Sequence, residues 1–94
     1  MGLTFTIQYH IKVVSDDIPR IPSANKRRIQ LAIEQKLMIQ PEVFGVPLRR
    51  SLKGYRKLRI GDYRVIFRIE NTLIKVLVIQ HRSNVYKAAA KRLV

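Results

Sequence analysis

Cysteine is absent from this chain, so neither disulfides nor thiolate metal ligands are available to it. That fits a reducing compartment, and a cytoplasmic protein is expected. No apolar run approaches the roughly 20 residues of a membrane-spanning helix. The start, MGLTFTIQYH, has no basic stretch followed by an apolar block, so it reads poorly as a secretory signal. Acids are scarce: six Asp and Glu stand against nineteen Lys and Arg, a net charge of +13. The residues show no acidic pair, metal triad, glycine-rich phosphate loop or Ser/Cys nucleophile arrangement. No cofactor and no metal are expected. A reaction on this chain would have to run on Lys, Arg, Tyr and His.

The positive charge is unevenly placed. Residues 1–46 carry six cations and four acids, a net +2, whereas residues 47–94 carry thirteen cations and only Asp62 and Glu70, a net +11. Self-repulsion of that size works against a compact state. A polyanionic partner would relieve it: nucleic acid, an acidic protein or an anionic surface.

At 94 residues with 47% apolar composition, one domain over 1–94 with one modest core is expected. Leu3, Phe5, Ile7, Tyr9, Ile11 and Val13 take every second position, the period of a half-buried strand. Ser15-Asp16-Asp17 offers helix-capping side chains, and Pro19 and Pro22 keep any helix there short. Ile29, Ala32, Ile33, Lys36, Leu37 and Ile39 recur at helical spacing, which predicts an amphipathic helix over Ser23–Gln40 with Ser23 as its cap. Pro41, Gly45, Pro47 and Gly54 read as loop. Three strands follow, near Tyr55–Ile60, Tyr63–Ile69 and Leu73–Gln80, joined by turns at Gly61-Asp62 and Glu70-Asn71-Thr72. The last strand is apolar on both faces apart from Lys75, which suits a central position. Residues 83–94 predict a short C-terminal helix. The expected fold is α+β: a four-stranded antiparallel sheet, an N-terminal helical hairpin packed on one face, and the other face open.

Alternation puts Leu58, Ile60, Val65 and Phe67 toward the core. Lys57, Arg59, Arg64 and Arg68 then share the exposed face, with His81-Arg82 at the end of the third strand. Tyr86, four residues past Arg82, falls in the first turn of the last helix and can lean over that face. Arg forks match phosphate oxygens, and Lys acts as a point charge. Tyr can stack on a base. These residues alone predict nucleic-acid binding, and catalysis only weakly.

The run LKGYRKLRIGDYRVIFRIE, followed by IKVLVIQHRSNVY, resembles the RelE/ParE toxin superfamily of bacterial toxin–antitoxin systems. The order of elements before it, including IPSANKRRIQLAIEQKL, is similar as well, so the resemblance spans nearly the whole chain. In the RelE branch it implies an endoribonuclease, an mRNA interferase that enters the ribosomal A site and cuts mRNA. The implied chemistry is attack by a ribose 2′-OH on the adjacent phosphate, without a metal. The resemblance assigns Lys57 as candidate base, Arg59 and Arg64 as phosphate clamps, Arg82 as acid or clamp, and Tyr86 as the ring that stacks on a substrate base. Lys57, Arg64, Arg82 and Tyr86 are therefore the expected catalytic set. Arg56, Arg59, Arg68, His81 and Lys87 are expected to bind nucleic acid, although Arg56 and Lys57 are adjacent and only one can join the cluster. Whether Arg82 or His81 stands in the acid's place is left open, as is the base among Lys57, His81 and Tyr86. The implied partners are mRNA on the ribosome and a cognate acidic antitoxin, with no membrane. Two alternatives stand beside this reading: a ParE-like inhibitor of DNA gyrase that cleaves nothing, and a non-catalytic nucleic-acid-binding domain.

Overall fold

The computed structural model describes residues 4–93. Strand β1 covers Thr6–Tyr9, shorter than the alternation predicts; Leu3 lies outside the described residues. The backbone turns helical at Ile11. His10 starts the turn: its carbonyl accepts the Val13 N–H at 2.9 Å, and its ring Nδ1 accepts the Lys12 N–H at 3.0 Å. A π-helical turn (Val13–Asp17) then leads into α1 (Ile18–Arg20). Ser15, Asp16 and Asp17 thus lie inside a helix and do not cap one. Val13 is buried, as an inward position in a strand would be, so the apolar pattern does not distinguish the two conformations here. Ile21 is extended (ψ 128°) ahead of Pro22 and closes α1.

Helix α2 (Ser23–Ala32) begins with Pro22, not Ser23, at its cap. It continues through a second π-helical turn, Ile33–Leu37, where the Met38 N–H reaches the Ile33 carbonyl at 3.0 Å. The helical run ends short of Gln40. The stretch read as loop contains a turn of helix, α3 (Pro41–Phe44), a two-residue strand β2 (Val46–Pro47) and a 3₁₀ turn over Arg50–Leu52. Between α3 and β2, Gly45 has no room for a Cβ, which would run into the Phe67 ring and the Pro41 carbonyl. Strands β3 (Arg56–Ile60), β4 (Tyr63–Glu70) and β5 (Leu73–His81) form the expected meander, and α4 (Val85–Arg92) closes the chain. Val94 lies outside the described residues. Gly61 and Asn71 hold the two strand turns with positive φ, 59° and 57°.

The sheet has five strands in the order β1-β5-β4-β3-β2 and is mixed, which corrects the expected four-stranded antiparallel sheet. β1 runs parallel to β5, with Thr6 opposite Leu73 and Tyr9 opposite Val76. β2 adds two residues antiparallel to β3. Alternation reports which face of a strand is buried, and says nothing of its neighbour's direction. β5 is central, as its two apolar faces predict.

The helical hairpin of α1 and α2 covers one face. Phe5, Val13, Ile21, Ile29, Ile33, Leu37, Leu58, Ile60, Val65, Phe67, Ile74, Val76 and Ile79 form the larger core there. The opposite face is not open. α4 lies on it, and Val85 and Ala89 pack with Leu52, Ile66, Leu77 and Val78 in a second, smaller core. Ile66 sits between Arg64 and Arg68 on the charged face, and it provides the apolar landing for α4.

Candidate functional site

β3 and β4 pair with Lys57 opposite Ile66 and Arg59 opposite Arg64. Opposed residues of an antiparallel pair share a face, so Lys57, Arg59 and Arg64 form one row, on the α4 side. Like charges directly opposite each other destabilise a ladder, and the Arg59–Arg64 pair is tolerated at the sheet's exposed rim. Arg64 eases the repulsion by turning toward the β3–β4 turn, where its Nη1 donates to the Gly61 and Tyr63 carbonyls, both at 2.9 Å.

Tyr86 reaches this row from the first turn of α4. The Lys57 Nζ donates to the Tyr86 hydroxyl at 3.3 Å and lies 6.0 Å from the ring centroid. Tyr86 remains 41% exposed. Arg82 stands at the far end of the row. Its backbone N–H donates to the Asp62 carbonyl at 2.8 Å, one step beyond the Tyr63–His81 pair. Its side chain is 3.6 Å from the Asp62 carboxylate; both are well exposed, so this pair is weak and easily exchanged. The expected quartet of Lys57, Arg64, Arg82 and Tyr86 thus lies along one strip.

Other expected residues are placed elsewhere. Arg56 points to the opposite side of β3, and its Nη1 donates to the Gly45 carbonyl at 3.0 Å, tying down the α3–β2 corner. Arg68 shares the face but sits toward the other end of β4, where the Glu70 carboxylate holds it at 3.2 Å and Lys75 at 3.3 Å. His81 pairs with Tyr63 and meets its ring edge-on, centroids 5.9 Å apart, on the helical-hairpin side. Its Nδ1 is 2.8 Å from the Ser83 hydroxyl. Lys87, the next residue of α4, lines an open cleft of about 620 Å³ with His10, Lys12 and Lys91.

Two features escape a reading of the sequence. Arg28 of α2 comes to the Arg59 rim and shares a depression of about 250 Å³ with it. The other is a buried ion pair, Asp17 with Arg92, at 2.7 Å. Burial pushes the Asp17 carboxyl up, but the Arg92 guanidinium, the Ile79 N–H and the Gln80 amide outweigh it and hold the carboxyl below its ordinary range. No local motif signals a contact between residues 75 positions apart. Among the described residues, no group of three or more His, Asp or Glu is assembled to hold a metal ion, and no helix is long and apolar enough to cross a membrane.

The family described as "ParE toxin of type II toxin-antitoxin system, parDE" matches residues 10–86. Toxin RelG of Mycobacterium tuberculosis is 40% identical over 50 residues, 51% of this chain, and the match spans 58% of that toxin. Toxin RelE of the same organism is 29% identical over 84% of this chain and 87% of its own length. Among solved structures, the toxin–antitoxin complex RelBE2 of M. tuberculosis superposes with a TM-score of 0.78 at 26% identity, covering 86% of this chain and 94% of that one. The RelE–RelB complex of Pyrococcus horikoshii superposes with a TM-score of 0.58, also at 26% identity, covering 84% and 96%. With a family match over most of its length and this fold, the chain belongs to the RelE/ParE superfamily and is a toxin of a type II toxin–antitoxin system.

Proposed function

We propose that the chain is a ribosome-dependent endoribonuclease that cuts mRNA in the A site without a metal. The observation that carries this reading is the contact between Lys57 and Tyr86, made beside the Arg59–Arg64 pair on a single face. A phosphodiester laid along that strip meets cations on both sides of the phosphate and an aromatic ring for the neighbouring base. The 2′-oxygen attacks phosphorus, the bond to the 5′-oxygen breaks, and the products are a 2′,3′-cyclic phosphate and a 5′-hydroxyl. The 2′-OH proton passes to a base and the 5′-oxygen gains one from an acid. Lys57 and Tyr86 stand at one end of the strip and Arg82 at the other, with Arg64 between them. Fixed positive groups aimed at the charge that develops in the transition state are worth far more there than in water.

An acidic antitoxin complements the basic strip and has a second surface on which to dock. Of the solved relatives named above, one is a toxin–antitoxin complex and the other a RelE–RelB complex. In this chain β1 is an edge strand, and beside it an apolar groove of about 420 Å³ runs between Ile7, Tyr9, Ile29, Ile33 and Met38. A partner that adds a strand or lays a helix there, and carries carboxylates to the basic strip, would neutralise the toxin.

The experiment is primer extension on mRNA after induction of the toxin, and on purified mRNA with and without ribosomes. New codon-phased ends that require ribosomes are expected. Their absence overturns the nuclease reading. The second reading, gyrase inhibition, is favoured by the name of the matching family, ParE. A supercoiling assay with purified gyrase tests it: inhibition by both the natural chain and Arg64→Ala, with no mRNA ends, would establish it in place of the first.

A further inference from the structure

Asp17 is a carboxylate only 3% exposed, within a π-helical turn. π-turns interrupt helices at a cost and cluster at functional positions. Its two oxygens receive four donors. Arg92 gives a fork, Nη1 and Nη2, each at 2.7 Å. The Ile79 N–H and the Gln80 amide add two more at 2.9 Å. Arg92 Nη1 also donates to the Leu77 carbonyl at 2.9 Å. Leu77 has no partner in the β4–β5 register, which skips at Ile66/Phe67, and β1 ends opposite Val76. The ion pair thus supplies partners to backbone groups of β5 that β1 does not reach.

The pair also completes the docking stripe of α4. Val85, Ala89 and Arg92 follow at i, i+4 and i+7, one helical face. Only Val85 and Ala89 of that stripe are apolar, and Ala89 offers a single methyl. A helix of eight residues does not persist alone in water. A forked Arg–carboxylate contact admits one orientation where apolar packing admits several. Tyr86 stands next to Val85 in the same helix, so its reach to Lys57 across the sheet depends on how α4 is seated.

We propose that the Asp17–Arg92 pair is a latch that seats α4 and thereby positions Tyr86 over Lys57; Asp17 and Arg92 are positioning residues for the site, acting through Tyr86 without touching RNA. The functional half of this inference rests on the nuclease reading above. The seating half does not.

The test uses the full chain with Asp17→Asn and, separately, Arg92→Met. Amide hydrogen exchange of residues 85–92 is compared with that of β4, and NMR reads the proximity of the Tyr86 ring to the Lys57 side chain. Exchange in α4 should rise at least tenfold in both variants, β4 should keep its protection, and the Tyr86–Lys57 proximity should be lost. Arg92→Lys, which keeps the charge and loses the fork, should fall between. Unchanged exchange in α4 overturns the latch. So does loss of protection throughout the sheet in Asp17→Asn, since the pair would then be a strut of the whole fold. In ribosome-dependent cleavage, Arg92→Met should lower the rate at least tenfold with Tyr86 present and by less than twofold in a Tyr86→Ala background. Losses that multiply would show that the pair does not act through Tyr86. If the natural chain produces no mRNA ends, the nuclease reading fails, and exchange and proximity still decide whether the latch exists.

Discussion

The two faces of the sheet are held by different physics. On the hairpin side, thirteen buried apolar residues, from three strands, the helical segments and the chain beside them, form one continuous core. On the α4 side, six buried residues cover only part of the strands, and the rest is a row of cations. The larger core is lined by apolar side chains throughout. The smaller one ends at Ile66, and the strands beyond it carry Lys57, Arg59 and Arg64 into solvent. Stability is concentrated on the first face, which frees the second to hold like charges together that would otherwise weaken the fold. The element that bridges the two, α4, is attached partly by an ion pair with the hairpin, so the charged face takes its geometry from the opposite side of the molecule.

That contrast can be broken or sharpened by substitution. The largest effect is expected from Phe67→Ala, a fully buried ring on the hairpin face: a loss of about 3–5 kcal/mol of stability, read from urea unfolding. Val85→Ala on the α4 face should cost less, about 1.5–3 kcal/mol. The reverse order would mean that the small core carries the fold. Next come Lys57→Ala and Arg64→Ala. Each should lower ribosome-dependent cleavage by about 100-fold or more and leave the unfolding free energy within about 0.5 kcal/mol. Equal losses of activity and stability would merge the two faces into one.

A smaller effect is expected from acid. The Asp17 carboxyl titrates lower in the folded chain than in the unfolded one, so the unfolded chain binds more protons as pH falls below about 4. The pair's contribution to stability is therefore present above that range and is lost as pH drops through the depressed folded value. Asp17→Asn should flatten this acid limb of the urea midpoint. A limb of unchanged slope would place the acid sensitivity elsewhere. The smallest effect is expected from Arg68→Ala, since Arg68 is held by Glu70 away from the row. Cleavage should stay within about twofold and stability within about 0.5 kcal/mol. A tenfold loss of cleavage would extend the site along the whole of β4.

Much of this was legible beforehand. The alternation in β3 and β4 reads correctly for Leu58, Ile60, Val65 and Phe67 as core and for Lys57, Arg59 and Arg64 as their opposite face. β5 reads as central from Leu73 to Ile79 because a strand covered on both sides must be apolar on both. The α4 side reads as open in the sequence because the stripe that docks there includes Arg92, a residue whose charge marks it as solvated until its partner is known. Over Ile11–Val13 the sequence does not separate helix from strand, because a short apolar spacing fits both periods. Arg56 and His81 fell to the other face by the same alternation that placed Lys57.

The sequence by itself determined which strand residues are buried, where the chain must turn, and that most of its positive charge gathers in the second half. Those properties follow from local steric periods and from composition. Only the tertiary structure decided that β1 runs parallel to β5, that α4 crosses the charged face, and that Asp17 meets Arg92. Each of these joins segments far apart in the chain, and the energy that selects them belongs to the contact and is carried by neither segment alone.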